Sequence, residues 1–165
     1  DTLSEATIGL RAGGAGFLGA GGALTGFAID IFGSYQYGVL RSELSCASRF
    51  GNDGFDSTFV RMSGTSCGVV LGLSYLKPSL FNLAFSAGGD GEIWTQAIDF
   101  DGNRLRTRGY RAALRVQLDI FARVDAVSAG LTTRLRISDA GYELWIMLGG
   151  SWSPDYEEEE REANW

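Results

Sequence analysis

Charged side chains recur at alternate positions along several apolar stretches of the chain, and they can act together only if the fold collects them. In the segment Tyr110–Ile120, Arg111, Arg115 and Asp119 alternate with apolar residues. The full set is Arg11, Asp30, Arg41, Glu43, Arg111, Arg115, Asp119 and Glu143. Such groups either pair into a closed polar network or line a narrow path for an ion or a proton. Pairing is favoured because an unpaired buried charge is very costly, but charge count alone does not separate the two.

Enzymatic chemistry finds little support in the chain. There is no histidine, so a serine nucleophile activated by a histidine base is excluded. Nothing places carboxylate pairs such as Glu43 and Glu143 together in a cleft. The glycine-rich run Gly13–Gly22 loosely matches a dinucleotide fingerprint but lacks the strand–helix–strand context. The turn Asp99–Asn103 lacks the ligand spacing of a calcium loop. We therefore predict a non-enzymatic protein with no catalytic residues, no cofactor and no metal site.

The two cysteines, Cys46 and Cys67, flank one segment that is predicted to be a loop. If the flanking strands pair, the two residues lie side by side and a disulfide is geometrically feasible. An exported protein meets conditions in which such a bond persists. We predict a Cys46–Cys67 disulfide, with two buried free thiols as the alternative.

The elements that must position these residues are strands. In Tyr110–Ile120, one parity is entirely apolar and the other is charged, and successive side chains of a strand point to opposite faces. The segment also exceeds the ~5–6 residues of an average soluble strand and matches the ~9–11 residues of a strand that crosses a bilayer. An apolar outer face with a charged inner face is what a small membrane barrel requires.

The same alternation indicates eight strands along the chain. Their predicted spans are 4–16, 24–36, 37–48, 66–76, 79–88, 107–119, 122–136 and 141–152. Long polar links are predicted at Arg49–Thr65 and Gly88–Arg106, whereas the links near Gly33–Gly38, Leu76–Ser79 and Asp119–Arg123 are short. Short turns on one rim and long loops on the other are typical of outer-membrane barrels.

Aromatic residues at the strand ends suggest two belts, as expected at two membrane interfaces. The rim with the short turns is predicted to carry Tyr35, Tyr37, Tyr75, Phe81, Phe121 and Trp152. The opposite rim is predicted to carry Phe17, Phe27, Trp94, Tyr110 and Tyr142.

Composition restricts the remaining possibilities. The chain has 165 residues, enough for one domain, and 24 glycines against 2 prolines, which suits tight turns and close strand packing. No stretch approaches the ~20 apolar residues of a membrane helix. The net charge is −6, of which Glu157–Glu162 supplies five negative charges and one positive. The body is therefore close to neutral, which gives no argument for a nucleic-acid partner.

With these features, the chain resembles the small eight-stranded outer-membrane barrels that include the membrane domain of OmpA and OmpX. The resemblance covers residues 4–152 and lies in strand count, alternation, loop asymmetry and aromatic rims, since no sequence motif is shared. It implies an all-β, closed, antiparallel transmembrane barrel in the bacterial outer membrane, in contact with lipid and lipopolysaccharide. No leader is visible at Asp1, so we expect a mature form whose signal peptide has been removed.

An acidic tail is predicted to follow the barrel as a separate segment, residues 153–165, on the periplasmic side. Its candidate partner-binding residues are Asp155, Tyr156, Glu157, Glu158, Glu159, Glu160 and Trp165. A run of charge is usually solvated, but we expect this tail to contact a periplasmic protein or a neighbouring copy. The predicted function is a structural or anchoring subunit. The alternatives are a small pore, or a soluble lipocalin-like barrel whose apolar parity faces inward around a ligand.

Overall fold

The computed structural model describes residues 4–19, 22–55, 58–75 and 81–154, and these residues form a closed barrel of eight strands. The strands are β1 (Ser4–Gly19), β2 (Gly22–Tyr37), β3 (Leu40–Phe55), β4 (Thr58–Tyr75), β5 (Phe81–Phe100), β6 (Asn103–Val124), β7 (Val127–Ser138) and β8 (Gly141–Trp152). Each strand pairs antiparallel with its chain neighbours, and β1 also pairs with β8. The predicted fold is confirmed.

The barrel has two different ends. The short-turn end carries the turns at Gly38–Val39 and Asp125–Ala126, and β8 finishes there. The hairpin end carries the longest strands, β5 and β6, which are joined by Asp101 and Gly102. Both of these residues have positive φ, 46° and 79°, as a two-residue type I′ turn requires. This turn matches the right-handed twist of the two strands and lets them extend as one hairpin.

The strands of the central hairpins are longer than predicted. The segments 49–55, 58–65 and 88–100 were expected to be loops, but they continue the ladders of β3, β4 and β5. Arg49, Met62, Asp90 and Glu92 in these segments are still buried inside the barrel. Toward the tip of the β5–β6 hairpin both faces are partly or fully exposed, so the apolar–polar alternation is lost although the backbone pairing persists. The glycine-rich part of β1 is also a strand, and Gly13 is needed there: a Cβ atom at this position would lie 2.0 Å from the carbonyl oxygen of Ile146.

The two faces of the barrel separate by polarity. Large apolar side chains point outward and are exposed along every strand, for example Leu10, Ile31, Leu71 and Leu148. The inside instead holds charged side chains and a small apolar cluster of Ala28, Ala47, Trp145 and Met147. The soluble lipocalin-like alternative required the opposite arrangement and is therefore wrong. Within the described residues there is no helix of sufficient length and apolarity to cross a membrane.

The aromatic belts are present in part. Tyr35, Tyr37, Tyr75 and Trp152 are exposed on the outward face at the short-turn end, and Phe27, Tyr110 and Tyr142 are exposed toward the hairpin end. Three aromatic residues were assigned wrongly. They have the inward parity of their strands and lie against interior arginines: Phe17 and Trp94 beside Arg111, and Phe121 beside Arg41. The side chain of Phe81 lies outside the described part of the chain.

Candidate functional site: the charged interior

The inside of the barrel collects the charged side chains that the alternation selected. Seven of them are buried there: Arg11, Asp30, Glu43, Arg111, Arg115, Asp119 and Glu143. Arg41 is partly buried and also points inward. The interior further contains Arg49, Asp90, Glu92, Gln117, Arg134 and Arg136, which the sequence analysis did not include. The alternation of the seventh strand already put Arg134 on its polar parity, and two more residues would have added Arg136, whereas Arg49, Asp90 and Glu92 fell in segments predicted to be loops.

Glu43 on β3 is the hub of a first group of residues, which we call the Glu43 cluster. Its members are Arg11, Asp30, Arg41, Glu43, Arg115, Gln117, Asp119 and Arg134. Arg11 donates to both carboxylate oxygens of Glu43, at 2.8 and 2.7 Å. Arg115 donates to Glu43 Oε1 at 2.9 Å, and Arg41 donates to Oε2 at 3.0 Å. Three guanidinium groups therefore converge on one buried carboxylate, and such charge-assisted hydrogen bonds are the strong ones in proteins.

Of the other two carboxylates of this cluster, Asp30 joins strands that are far apart in the sequence, whereas Asp119 bonds to its own strand and to the neighbouring one. Asp30 on β2 accepts from Arg11 at 3.0 Å and from Arg134 on β7 at 2.6 Å. Asp119 on β6 accepts from Thr132 at 2.5 Å and from Gln117 at 2.9 Å. Contacts across the interior thus add to the ladder of hydrogen bonds between neighbouring strands.

Arg136 on β7 is the centre of a second group nearer the hairpin end, which we call the Arg136 cluster. It consists of Arg49, Asp90, Glu92, Arg111, Arg136 and Glu143. Arg136 contacts Asp90 at 2.6 Å, Glu143 at 2.7 Å and Glu92 at 2.8 Å. Arg49 contacts Glu92 and Glu143, each at 2.5 Å. Two arginines and three carboxylates thus form a continuous chain of ion pairs.

Trp145 lies between the two clusters and is fully buried. Its ring centre is 5.1 Å from the guanidinium carbon of Arg134 and 5.3 Å from that of Arg136, which are cation–π distances. Its indole N–H donates to Glu143 at 3.0 Å. One aromatic side chain therefore fills the space between the clusters and bonds to one of them.

The charges of the interior nearly balance, with seven arginines against six carboxylates in the two clusters. Arg111 has the weakest partner: its closest carboxylate oxygen, on Glu92, is 3.9 Å away, and its Nε has no hydrogen-bond partner in the structure. It lies among the rings of Phe17 and Trp94. Desolvation offsets much of the attraction within such buried ion pairs, but removal of one partner is strongly destabilising because the other charge stays buried without compensation.

Two cavities approach the clusters from opposite ends. One, about 50 Å³, is lined by Glu5, Gln36 and Arg123 at the short-turn end and reaches Arg11 and Asp119 of the Glu43 cluster. The other, about 20 Å³, is lined by Phe17, Phe50 and Met62 and reaches Arg49 of the Arg136 cluster. The two clusters and Trp145 occupy the space between these cavities. An eight-stranded barrel has an interior just wide enough for side chains to fill.

The chain leaves the barrel through a polar contact at the short-turn end. The backbone N–H of Ser153 donates to the carbonyl of Ala126 at 2.9 Å. Arg123 donates to the Ser153 hydroxyl at 2.8 Å and to Glu5 at 2.6 Å. These bonds fix the point at which β8 ends and the tail begins. The tail residues Asp155, Tyr156, Glu157, Glu158, Glu159, Glu160 and Trp165 lie outside the described residues.

The predicted disulfide between Cys46 and Cys67 is confirmed. The two residues are directly opposite each other in the β3–β4 ladder, with Cα atoms 4.1 Å apart. They share the outward parity of Leu44 and Val69, so the bond lies on the apolar outer face rather than among the interior charges. In the described part of the chain, no group of three or more His, Cys, Asp or Glu side chains is arranged to hold a metal ion.

No protein-family model and no curated protein sequence matches this chain. Solved structures of small outer-membrane barrels, in contrast, superpose well on this chain. The crystal structure of Neisserial surface protein A (NspA) superposes with a TM-score of 0.68 at 13% identity, covering 91% of this chain and 98% of that one. Ail, the attachment invasion locus protein of Yersinia pestis, in complex with the heparin analogue sucrose octasulfate, gives 0.68 at 10% identity over 91% and 98%.

The N-terminal β-barrel domain of Pseudomonas aeruginosa OprF is a further structural neighbour, with a TM-score of 0.57 at 13% identity, covering 92% of this chain and 99% of that one. At this level of identity the similarity concerns the fold alone. The resemblance to small eight-stranded outer-membrane barrels is confirmed at that level.

Proposed function

We propose that this chain is a non-enzymatic protein of the bacterial outer membrane that serves as a structural or anchoring subunit. The observation that carries the proposal is the filled interior. The Glu43 cluster, Trp145 and the Arg136 cluster occupy the barrel between its two end cavities, and their carboxylates are engaged by arginines. In a barrel with a filled interior, the outer surface, the hairpins and the termini are the parts that partners can contact. The interior side chains hold the strands together.

The outward apolar face supports a membrane location. Exposed large hydrophobic residues line every strand, and a surface of this size in water would drive association. In bacterial barrels short turns face the periplasm and longer loops face outward. This orientation directs the hairpin end to the cell exterior and the short-turn end to the periplasm, with lipid and lipopolysaccharide around the strands.

A small pore is the alternative function, and the interior arginines would set its selectivity. The packing argues against it, because the interior side chains are held by several partners each and Arg115 alone contacts Ser45, Glu43 and Gln117. Conductance in a planar bilayer tests the point. We expect no steady current from the wild-type protein. A reproducible current that changes with Arg115→Ala would contradict the anchoring role and favour the pore.

The acidic tail extends the proposal to a partner. Because Ser153 is fixed at the short-turn end, the residues after it start on the periplasmic side in the proposed orientation. We propose that their negative charge engages a basic surface on a periplasmic protein or on a neighbouring copy. A photo-crosslinker at Tyr156 in intact cells should give one discrete adduct. That adduct should be lost when Glu157, Glu158, Glu159 and Glu160 are changed to Gln.

The control for this experiment is the same crosslinker in a variant with Asp139→Asn, an acidic residue of the β7–β8 turn at the opposite end. It should leave the adduct unchanged. A self-adduct would identify a second copy as the partner. Absence of any adduct in the wild type, or an adduct that is indifferent to the four glutamates, would contradict the role of the tail.

A further inference from the structure

Within the described strands, the outward face of the barrel carries charge in one place. Among the described strand residues, the charged side chains with outward parity are Arg61 on β4, Asp99 on β5, and Arg104, Arg106 and Arg108 on β6. All five lie at the hairpin end, beyond the apolar band. Four positive charges and one negative charge thus form a basic patch in a chain whose net charge is −6.

The register of the three strands gives this patch a definite shape. Ala97 on β5 is opposite Arg61 on one side and Arg106 on the other. Thr95, the next residue of β5 on the same face, is opposite Arg108. Neighbouring strands are ~4.8 Å apart, so Arg61 and Arg106 lie about 10 Å apart across β5. The small side chains between them leave a shallow floor with arginines on both sides, a spacing that two guanidinium groups can bridge around one tetrahedral anion.

One arginine of the patch is already occupied. Arg104 Nε donates to Asp99 Oδ1 at 2.6 Å, and this hydrogen bond lowers the pKa of Asp99, which therefore stays ionised and paired. Arg106 and Arg108 form no ion pair with any described residue. Arg61 lies beside the ring of Phe59, 5.1 Å from its guanidinium carbon, and its charge contributes to lowering the pKa of Asp99, but it makes no hydrogen bond or ion pair with a described carboxylate. Three guanidinium groups consequently remain available to an external anion.

The backbone of β6 adds donors at the same place. β6 pairs with β7 only from Leu114 onward, so residues 103–113 have a free edge. The two-residue turn makes Phe100 and Asn103 the first hydrogen-bonded pair, and bonded and non-bonded pairs alternate along an antiparallel ladder. The N–H groups of Arg106 and Arg108 therefore point to the open edge instead of to β5.

The height of the patch matches the polar boundary of a bilayer. Tyr110 is 72% exposed and is the last aromatic residue of the outward row on β6 before the arginines. Arg108 lies two residues before Tyr110 in the chain, which is about 7 Å closer to the hairpin tip along the strand and ~5 Å in height at a tilt of ~40°. Interfacial aromatic rings lie at headgroup level, so Arg108 and Arg106 lie where the phosphate groups of outer-leaflet lipids are.

We propose that Arg61, Arg106 and Arg108 form a binding site for the phosphate groups of the anionic glycolipid of the outer leaflet, lipopolysaccharide. The site rests on the proposed outer-membrane location and gives the barrel a specific lipid contact on one side. Charge complementarity and continuity with the lipid-facing band select this ligand. Guanidinium groups suit it because their planar donors bind phosphate oxygens in pairs.

The test measures binding of purified lipopolysaccharide to the labelled, folded barrel in detergent micelles. The site variant is Arg61→Gln/Arg106→Gln/Arg108→Gln. The matched control is Asp99→Asn/Arg104→Gln, which removes the neighbouring ion pair from the same hairpin without changing net charge. Each basic residue near an anionic surface contributes a factor of about five to affinity, so the site variant should bind about 100-fold more weakly. The control should bind as the wild type does.

Dephosphorylated lipopolysaccharide and a soluble sulfated polysaccharide are the remaining ligands of the test. The wild type should bind the dephosphorylated lipid as weakly as the site variant binds the intact lipid. Three results would overturn the site. They are equal binding of intact and dephosphorylated lipopolysaccharide by the wild type, equal binding of the intact lipid by the wild type and the site variant, and binding of the soluble polysaccharide in place of the lipid. Every protein is also checked for insertion into phosphatidylcholine liposomes. Insertion without phosphate-dependent binding contradicts the site alone, whereas failure to insert contradicts the proposed function and the site with it.

Discussion

Replacement of Glu43 by Gln tests the interior network at its hub. The amide has nearly the shape of the carboxylate but no charge, and one of its two positions becomes a donor. If the nitrogen replaces Oε2, the bonds from Arg11 at 2.7 Å and Arg41 at 3.0 Å are lost. If it replaces Oε1, the bonds from Arg11 at 2.8 Å and Arg115 at 2.9 Å are lost. Either orientation places an N–H₂ group against two guanidinium groups.

The expected loss follows from these contacts. Two charge-assisted hydrogen bonds at ~1.5–3 kcal/mol each give about 3–6 kcal/mol, and removal of one partner of a buried ion pair costs about 3–5 kcal/mol. We therefore expect Glu43→Gln to lower the free energy of unfolding by about 4 kcal/mol. The assay is equilibrium unfolding by urea in lipid vesicles, followed by tryptophan fluorescence and by the heat-dependent mobility shift.

The matched control is Asp139→Asn, the same loss of a carboxylate in an exposed turn, which should change stability by less than about 0.5 kcal/mol. Adding Arg115→Gln to Glu43→Gln removes one of the guanidinium groups left without an acid. The double variant should therefore lose less than the sum of the two single changes. If Glu43→Gln is as stable as Asp139→Asn, the network does not hold the barrel and this reasoning is refuted.

Three further changes test the strand contacts and the outer face. Gly13→Val should prevent closure of β1 on β8, since its Cβ atom would lie 2.0 Å from a carbonyl oxygen, whereas a Cβ atom at Gly14 meets open space. The refolding yields of Gly13→Val and Gly14→Val in vesicles are compared. Equal yields would contradict the register of β1 and β8. Leu71→Arg, in the apolar band, should lower the free energy of unfolding by about 2–4 kcal/mol. Leu105→Arg on the β6 hairpin should hardly change it, although both leucines are exposed by about two thirds. Equal urea midpoints for the two variants would contradict the proposal that the apolar band lies in a membrane. Reduction of the Cys46–Cys67 disulfide, whose partners are 21 residues apart, should lower stability by about 3 kcal/mol on the chain-entropy estimate, and an unchanged urea midpoint with reductant would contradict this.

The alternation of side chains allowed much of the barrel wall to be predicted. In β6 and β8 one face is apolar and exposed and the other meets packed charge, so the polarity of each residue indicates its orientation. The same rule explains why the eight predicted interior residues all point inward. It also indicates why Phe17, Trp94 and Phe121 were misassigned: their position near a strand end was considered, but their inward parity was not.

The parts that could not be predicted are those for which a sequence gives no polarity contrast. Toward its tip the β5–β6 hairpin is partly or fully exposed on both faces, and its polar residues resemble those of a loop. The pairing of charges depends on register as well as on parity. That Glu43 meets Arg11, Arg41 and Arg115, while Arg136 meets Asp90, Glu92 and Glu143, follows from which residues the tilted strands bring to the same height.

The central claim is that the apolar face meets lipid and the charged face is sealed inside. Gel mobility in SDS of unheated and boiled protein from the membrane fraction tests it most directly. A compact barrel resists SDS until it is heated, so we expect two distinct mobilities, with the protein recovered only in detergent extracts. A single mobility, from a protein that is soluble without detergent, would contradict the account.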